Sequence, residues 1–252
     1  MFSAYFDAAG DSNTQPLVIV SGFVANFQQW GMFQALWKKA HQEAGVELPL
    51  HMTELMAARN NLERYAKQKD ARADYIRLAS QGTDAVDLFL RHLALTEVTA
   101  LSCGISCIVP MHIYNEVDSI LCLRDKIPPY ALAARMCIEK LHQWEKTFNI
   151  GEPVEYIFEY GDFGQGKFTD LMIDERQTIP IYKNKNDFVG LQGADHYAWE
   201  QSAFLKKWQR NPTSTVARDE LSFLIYGIPK LHVEATQETL IRLCHSKGIK
   251  IR

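Results

Sequence analysis

Hydrophobic residues along the chain fall into two alternating rhythms. Phe2, Ala4 and Phe6 alternate with Ser3, Tyr5 and Asp7, the two-residue period of a strand, and Ala-Gly-Asp-Ser at 9–12 ends it. Residues 17–24 form a second apolar run rich in Val and Ile, and the short polar link predicts a hairpin. Over 27–44, Trp30, Phe33, Leu36 and Trp37 recur on one side of a helix. LPLHMTELM (48–56) reads as a loop entering a short helix with Thr53 as its cap, and 57–70 as a charged exposed helix or lid. A long helix is expected over 70–95 and a strand over 98–109, in which Ser102, Gly104 and Ser106 make a small face close under another element.

Pro128-Pro129 opens a helix reaching about residue 148, with Ala133, Cys137, Leu141, Trp144 and Phe148 as its buried stripe. A strand over 154–160 follows, then the loop GDFGQGK, a helix near 168–175, a short strand at 179–182 and a strong helix over 190–208. The tail adds a helix near 216–226, the strand-like LHVE and a final helix. This order describes an α/β fold, a mixed sheet with helices packed on it. The expected organisation is one main domain over 1–210, with 211–252 as a small helical extension packed on it.

Composition narrows the class. With 252 residues, 47% apolar and 23% charged, the chain can bury a sizeable core. A net charge of −3 argues against nonspecific nucleic-acid coating, so any such contact is local or metal-assisted. The opening MFSAYFDAAGDS lacks a basic segment and a long apolar run, which speaks against a signal peptide, and no stretch reads as a membrane span. Five scattered cysteines, an odd number, point to reduced thiols and a cytoplasmic home.

The candidate chemistry lies in acids placed where strands end or a helix begins. Asp7 ends the first strand, Glu159 nearly ends a later one, Asp162 lies just beyond it, and Asp195 is expected in a helix's first turn. If the two strands are parallel neighbours, Asp7 and Glu159 emerge side by side at the carboxyl edge, where open α/β sheets build sites. Clustered carboxylates repel one another, and Mg²⁺ or Mn²⁺ relieves that repulsion through oxygen ligands. Two such ions can hold both the attacking water and the leaving oxygen of a phosphodiester. Taken singly, each acid also has a structural role: Asp7 can cap a turn, and Asp195 suits a helix N-terminus. His51, in a polar loop, is a candidate for activating water or orienting a phosphate, and Gln192 for assisting binding.

Four segments in order, YFDAAGD (5–11), HMTEL (51–55), FEYGDFGQGK (158–167) and LQGADHYAWE (191–200), resemble the family known as domain of unknown function 3800 (DUF3800). The resemblance spans roughly residues 2–205. It implies a ribonuclease H-like fold with a five-stranded mixed sheet, Asp7 on its central strand, the Glu159 strand parallel beside it and Asp195 entering from a late helix. It also implies nuclease chemistry, with Asp7, Asp11, Glu159, Asp162 and Asp195 as the metal set and Asp7, Glu159, Asp195 and His51 as the catalytic one. The opening departs from the family's Asp-Glu-Ser-Gly, since Ala8 and Ala9 stand at its second and third positions; Asp11 is the nearest replacement. Two readings follow. One is a Mg²⁺- or Mn²⁺-dependent hydrolase of RNA or DNA. The other is a non-enzymatic binding or regulatory protein of a mobile element or defence system that kept the fold and lost part of the site.

Other signals are weaker. GDFGQGK (161–167) fits the G-x-x-x-x-G-K of a phosphate loop between a strand and a helix, but Phe168 takes the Ser/Thr position and Asp162 brings negative charge. Cys103 and Cys107, four apart in a strand, would lie about 13 Å from each other, too far for one zinc ion. The tryptophans fit helix faces, with Trp199 one turn beyond Asp195. The run at 60–75 reads as a solvated face, although Arg64, Lys67, Lys69 and Arg72 would also serve as a local phosphate contact.

Overall fold

A computed structural model of the chain describes residues 1–10, 15–213 and 215–246. The alternation at the start forms β1 (Phe2–Ala9), which pairs antiparallel with β2 (Leu17–Asn26) as the hairpin pattern predicts. Asn26 ends β2 and caps α1 (Phe27–Ala44) reciprocally with Gln29, and Gly45 closes that helix at φ 63°. Trp30 Nε1 donates to Ser3 O at 3.0 Å, tying α1 to β1. Next come α2 (Met52–Asn60), α3 (Leu62–Ala66), α4 (Ala73–Ser80) and α5 (Thr83–Ala100). Then follow β3 (Cys103–Pro110), α6 (Met111–Leu121) and α7 (Pro129–Thr147). The chain continues through β4 (Val154–Glu159), α8 (Gln165–Asp174), β5 (Ile181–Lys183) and α9 (Val189–Arg210). It ends in α10 (Asp219–Gly227), β6 (Lys230–Glu234) and α11 (Gln237–Ser246).

The sheet order is β5-β4-β1-β2-β3-β6. β1, β2 and β3 form an antiparallel meander, β4 runs parallel to β1, and β5 runs parallel to β4. The sheet therefore has six strands, not the five expected. β6, which contains the strand-like LHVE of the expected small helical extension, adds parallel to β3 and so makes the tail part of the sheet. Other boundaries also shift. The long helix breaks at Gly82, which adopts φ 107°, and its second half runs through Val98, so the next strand starts only at Cys103. His51, not Thr53, precedes the first residue of α2. α6 was not foreseen; its buried Met111, Tyr114, Val117 and Leu121 have helical spacing. Asp195 lies in the second turn of α9, so the helix N-terminus does not account for it.

Helices cover both faces of the sheet. On one face Phe6, Val20, Cys107 and Phe158 pack with α6, α7, α8 and α11. On the other, Phe23 and Ala25 pack with α1, α2, α5 and α9. Asp7 opposes Ser21, and Ser21 opposes Ser106, so a polar row crosses the three central strands. Ser106 in turn bonds to Gln201 of α9. The small face expected on β3 is found, with Gly104 3.5 Å (to a built Cβ) from the Tyr197 ring of α9. Gly190 brings the start of α9 onto β1, where a Cβ would meet the Tyr5 ring at 2.8 Å. Cys103 and Cys107 are buried free thiols, as core packing requires. No described helix is long and apolar enough to cross a membrane.

Two consequences are measurable. Gly190→Val forces α9 away from β1, and overpacking of this kind costs about 1–3 kcal/mol. Urea denaturation should show that loss, and an unchanged midpoint would mean α9 is not held at this contact. The second concerns His41, which is 2% exposed, contacts Trp37 O through Nδ1 at 2.9 Å and, among the described residues, has no partner for Nε2. Burial holds its pKa down at about 4, against the pull of the Trp37 bond. A depressed folded-state pKa means stability is fully present above the unfolded value of about 6.5 and is lost as pH falls through about 4. Up to about 3 kcal/mol should disappear across that window. His41→Phe should flatten this part of the stability–pH curve, and the same slope in wild type and variant would exclude His41 as its source.

Candidate functional site

The carboxyl ends of the parallel strands β1, β4 and β5 lie side by side. Asp7 stands near the end of β1 and Glu159 is the last residue of β4. Just past β5, the 184–188 loop carries Lys185. α9 crosses above and brings down Asp195. The Lys185 Nζ lies 2.8 Å from Glu159 Oε2, 3.3 Å from Asp195 Oδ2 and 3.5 Å from Asp7 Oδ2. Asp7 is 5% exposed, while Lys185, Glu159 and Asp195 are each below 20%. Three of the nominated acids thus converge on one point.

The balance of charge there is negative, because a single ammonium faces three carboxylates. Asp7's pKa stands well above its usual value, first from burial and then from the Asp195 charge, with Lys185 pulling the other way. Burial also raises Asp195, which Lys185 and the Met52 N–H partly offset. Asp162 is pushed up to about 6 by burial and by Glu159, and its buried Oδ2 has no hydrogen-bond partner among the described residues. Burial alone would lower the Lys185 pKa, but Asp7, Asp195 and Glu159 together hold it above the ordinary lysine value.

The local segments explain why these groups meet. Gln192, 1% exposed, accepts from Trp37 Nε1 at 3.2 Å and from Leu50 N at 3.0 Å, and donates to Lys185 O at 3.0 Å. One amide side chain therefore fixes α1, the loop before His51 and the loop bearing Lys185. A carboxamide can do this because it offers both an acceptor oxygen and N–H donors. Gln192 is a positioning residue rather than the ligand contact expected for it.

The remaining nominated residues are distributed as follows. The Met52 N–H bonds to Asp195, which places the HMTEL segment beside the cluster. His51 donates its backbone N–H to Tyr75 Oη at 2.9 Å, and among the described residues its imidazole has no hydrogen-bond partner. His196 points away from the site and pairs with Glu97 at 3.1 Å, both side chains fully buried. Asp11 lies outside the described residues. Sequence reasoning missed Lys185, since nothing in KNKND separates it from Lys183, whose ammonium sits over the Phe188 ring instead. The available signal was its place in the loop between a strand of the parallel edge and the helix carrying Asp195.

Among the described residues, no group of three or more His, Cys, Asp or Glu is disposed to hold a metal ion. The distances fit that finding. Oxygens 2.8–3.5 Å from an ammonium are more widely spread than the 2.0–2.1 Å shell of Mg²⁺. The donor chemistry does suit a hard divalent cation: carboxylate oxygens, an excess of negative charge and the orphaned Asp162 Oδ2. Comparison with models of known families, with curated proteins and with solved structures finds no match.

Lys185→Met tests the charge balance. It leaves the carboxylates facing one another, and loss of one partner from a buried ion pair costs about 3–5 kcal/mol. Metal-free stability at neutral pH should fall by about that amount, and the deficit should shrink as pH drops and the acids take up protons. Equal denaturation midpoints for variant and wild type at neutral pH would show that Lys185 is not the counter-ion.

Proposed function

We propose that the chain is a ribonuclease H-like, Mg²⁺- or Mn²⁺-dependent phosphodiesterase acting on RNA or DNA at Asp7, Glu159 and Asp195. The observation that carries the reading is the convergence of these three carboxylates, from β1, the end of β4 and α9, in excess of the one cation facing them. Support also comes from the strand arrangement. β1 lies inside the sheet with β4 parallel beside it, as the resemblance implies, although the sheet has six strands. The resemblance of the four segments to the DUF3800 family points the same way.

Asp7, Glu159 and Asp195 would hold the cation, with Asp162 beside them. A divalent ion supplies charge for the phosphate oxygens and lowers the pKa of bound water. The chain's own part is to keep the acids dry and aligned. Gln192 fixes the Lys185 loop, and the Met52 N–H fixes Asp195.

A second reading has a specific observation in its favour. Lys185 already reaches all three carboxylates, so a permanent internal counter-ion would make the chain a non-catalytic binding protein. Titrating Mn²⁺ and Mg²⁺ into wild type and Asp7→Asn, by calorimetry and thermal shift, separates the two. The nuclease reading expects saturable binding by wild type that Asp7→Asn removes, and metal-dependent cleavage of oligonucleotides lost in the same variant. Binding and cleavage undiminished in Asp7→Asn would rule out this site, and no binding by wild type at millimolar metal would favour the internal counter-ion.

A further inference from the structure

β6 stands at one end of the sheet and has a neighbour, β3, on one side. The strand at the other end, β5, is only three residues long. The phase of the β3–β6 pairing is fixed by its two terminal bonds, Gly104 N–H to Pro229 O at 2.9 Å and Ala235 N–H to Ile108 O at 2.8 Å. Bonding groups alternate along a paired strand, so Leu231 and Val233 turn their N–H and C=O toward β3. Lys230, His232 and Glu234 turn theirs outward, and among the described residues these groups take no backbone partner.

The charges on this strand lack partners within the molecule. Lys230 is half-buried, and its Nζ donates to Ile228 O at 3.4 Å. Burial pushes its pKa down to about 8, and the group that opposes the shift is Cys103, not a carboxylate. Glu234, at the other end of the strand, is exposed, and among the described residues neither it nor Lys230 takes part in an ion pair. Between them, Leu231 and Val233 pack partly buried against the core under α7 and α11. His232 is uncharged at neutral pH, because desolvation and the Lys140 charge outweigh Glu234 and hold its pKa below the ordinary value.

The sequence KLHVE is its own complement when run antiparallel. Pairing through the outward groups admits registers in which Lys230, His232 and Glu234 face one another. The register that uses the whole strand sets His232 opposite His232. Lys230 then faces Glu234 at both ends, and Leu231 faces Val233 on either side of the centre. Every outward donor and acceptor of both strands finds a partner. Opposite charges and apolar pairs directly across are the favourable cross-strand cases. Lysine on an edge strand ordinarily repels foreign strands, but here its charge matches the glutamate of an identical strand. Such a contact uses the same patch on both molecules and closes on itself.

We infer that a second copy of the chain pairs antiparallel with β6 about a two-fold axis at His232, with Lys230 of each copy facing Glu234 of the other. The two sheets then run on as one. The inference is independent of the phosphodiesterase reading. Asp7, Glu159 and Lys185 belong to β1, the end of β4 and the loop after β5, and β2 and β3 separate these from β6. Pairing at β6 therefore leaves the carboxylate cluster of each copy uncovered.

The test is sedimentation velocity with light scattering on the full chain at neutral pH, from micromolar concentration upward. Wild type should form a species of twice the chain's mass. Glu234→Lys, at an exposed position, sets like charges across both symmetric pairs and should weaken dimerisation roughly 10- to 100-fold. Adding Lys230→Glu to it reverses the second partner and should restore the dimer, a rescue that a mere loss of folding does not give. His232→Pro removes an outward N–H and no bond to β3, so it should leave a monomer whose circular dichroism matches wild type. A wild type that stays monomeric throughout overturns the inference and leaves the edge to a strand of some other chain. A dimer that persists in both Glu234→Lys and His232→Pro overturns it too, because the interface then lies elsewhere. So does a folded double variant that dimerises no better than Glu234→Lys.

Discussion

An ammonium held among three carboxylates governs how this molecule is built at its carboxyl edge. Buried charges of one sign are tolerated only when paired, and the cost of leaving one unpaired in a low-dielectric interior is several kcal/mol. Lys185 satisfies Glu159, Asp195 and Asp7 at once, so the end of β4, the middle of α9 and the end of β1 are bound to a common point. Burial raises the Asp7 and Asp195 pKa values, and the Lys185 ammonium pulls both back down.

The rest of the fold delivers these groups to that point. The parallel pairing of β4 with β1 puts Asp7 and Glu159 on neighbouring strand ends. α9 reaches Asp7 because Gly190 and the small residues beneath it permit close approach to the sheet, and Ser106 and Gln201 bond across that contact. Gln192 couples α1, the loop before His51 and the Lys185 loop through three hydrogen bonds. These are interior contacts between elements far apart in sequence, so the site inherits the rigidity of the core.

Around this rigid centre the surface is less finished. Phe163 and Tyr160 remain exposed on a braced loop, although burying an aromatic ring typically contributes a few kcal/mol. Their position follows from the loop's two glycines with positive φ, Gly161 and Gly164, which turn the chain sharply between β4 and α8. Of the three acids, Glu159 thus borders the same connection as the exposed rings.

Much of this was legible in the residues themselves. The alternation at 2–7, the apolar run at 17–24 and the stripes of the helices starting at Phe27 and Pro129 specify their elements locally, because strand and helix periodicities are properties of consecutive side chains. Asp7, Glu159 and Asp195 could be nominated from their places at element ends. Periodicity could not show that LHVE joins β3 as a sixth strand, since pairing is a choice of partner rather than of local conformation. Nor could it distinguish Lys185, in the loop after β5, from Lys183 at the end of that strand, or reveal that Gln192 is a joint of the core. Those roles exist only once three strands and a helix have been folded together, because buried polar groups find their partners through space: Lys185 meets Asp7 of the first strand, and Gln192 meets Trp37 of the first helix.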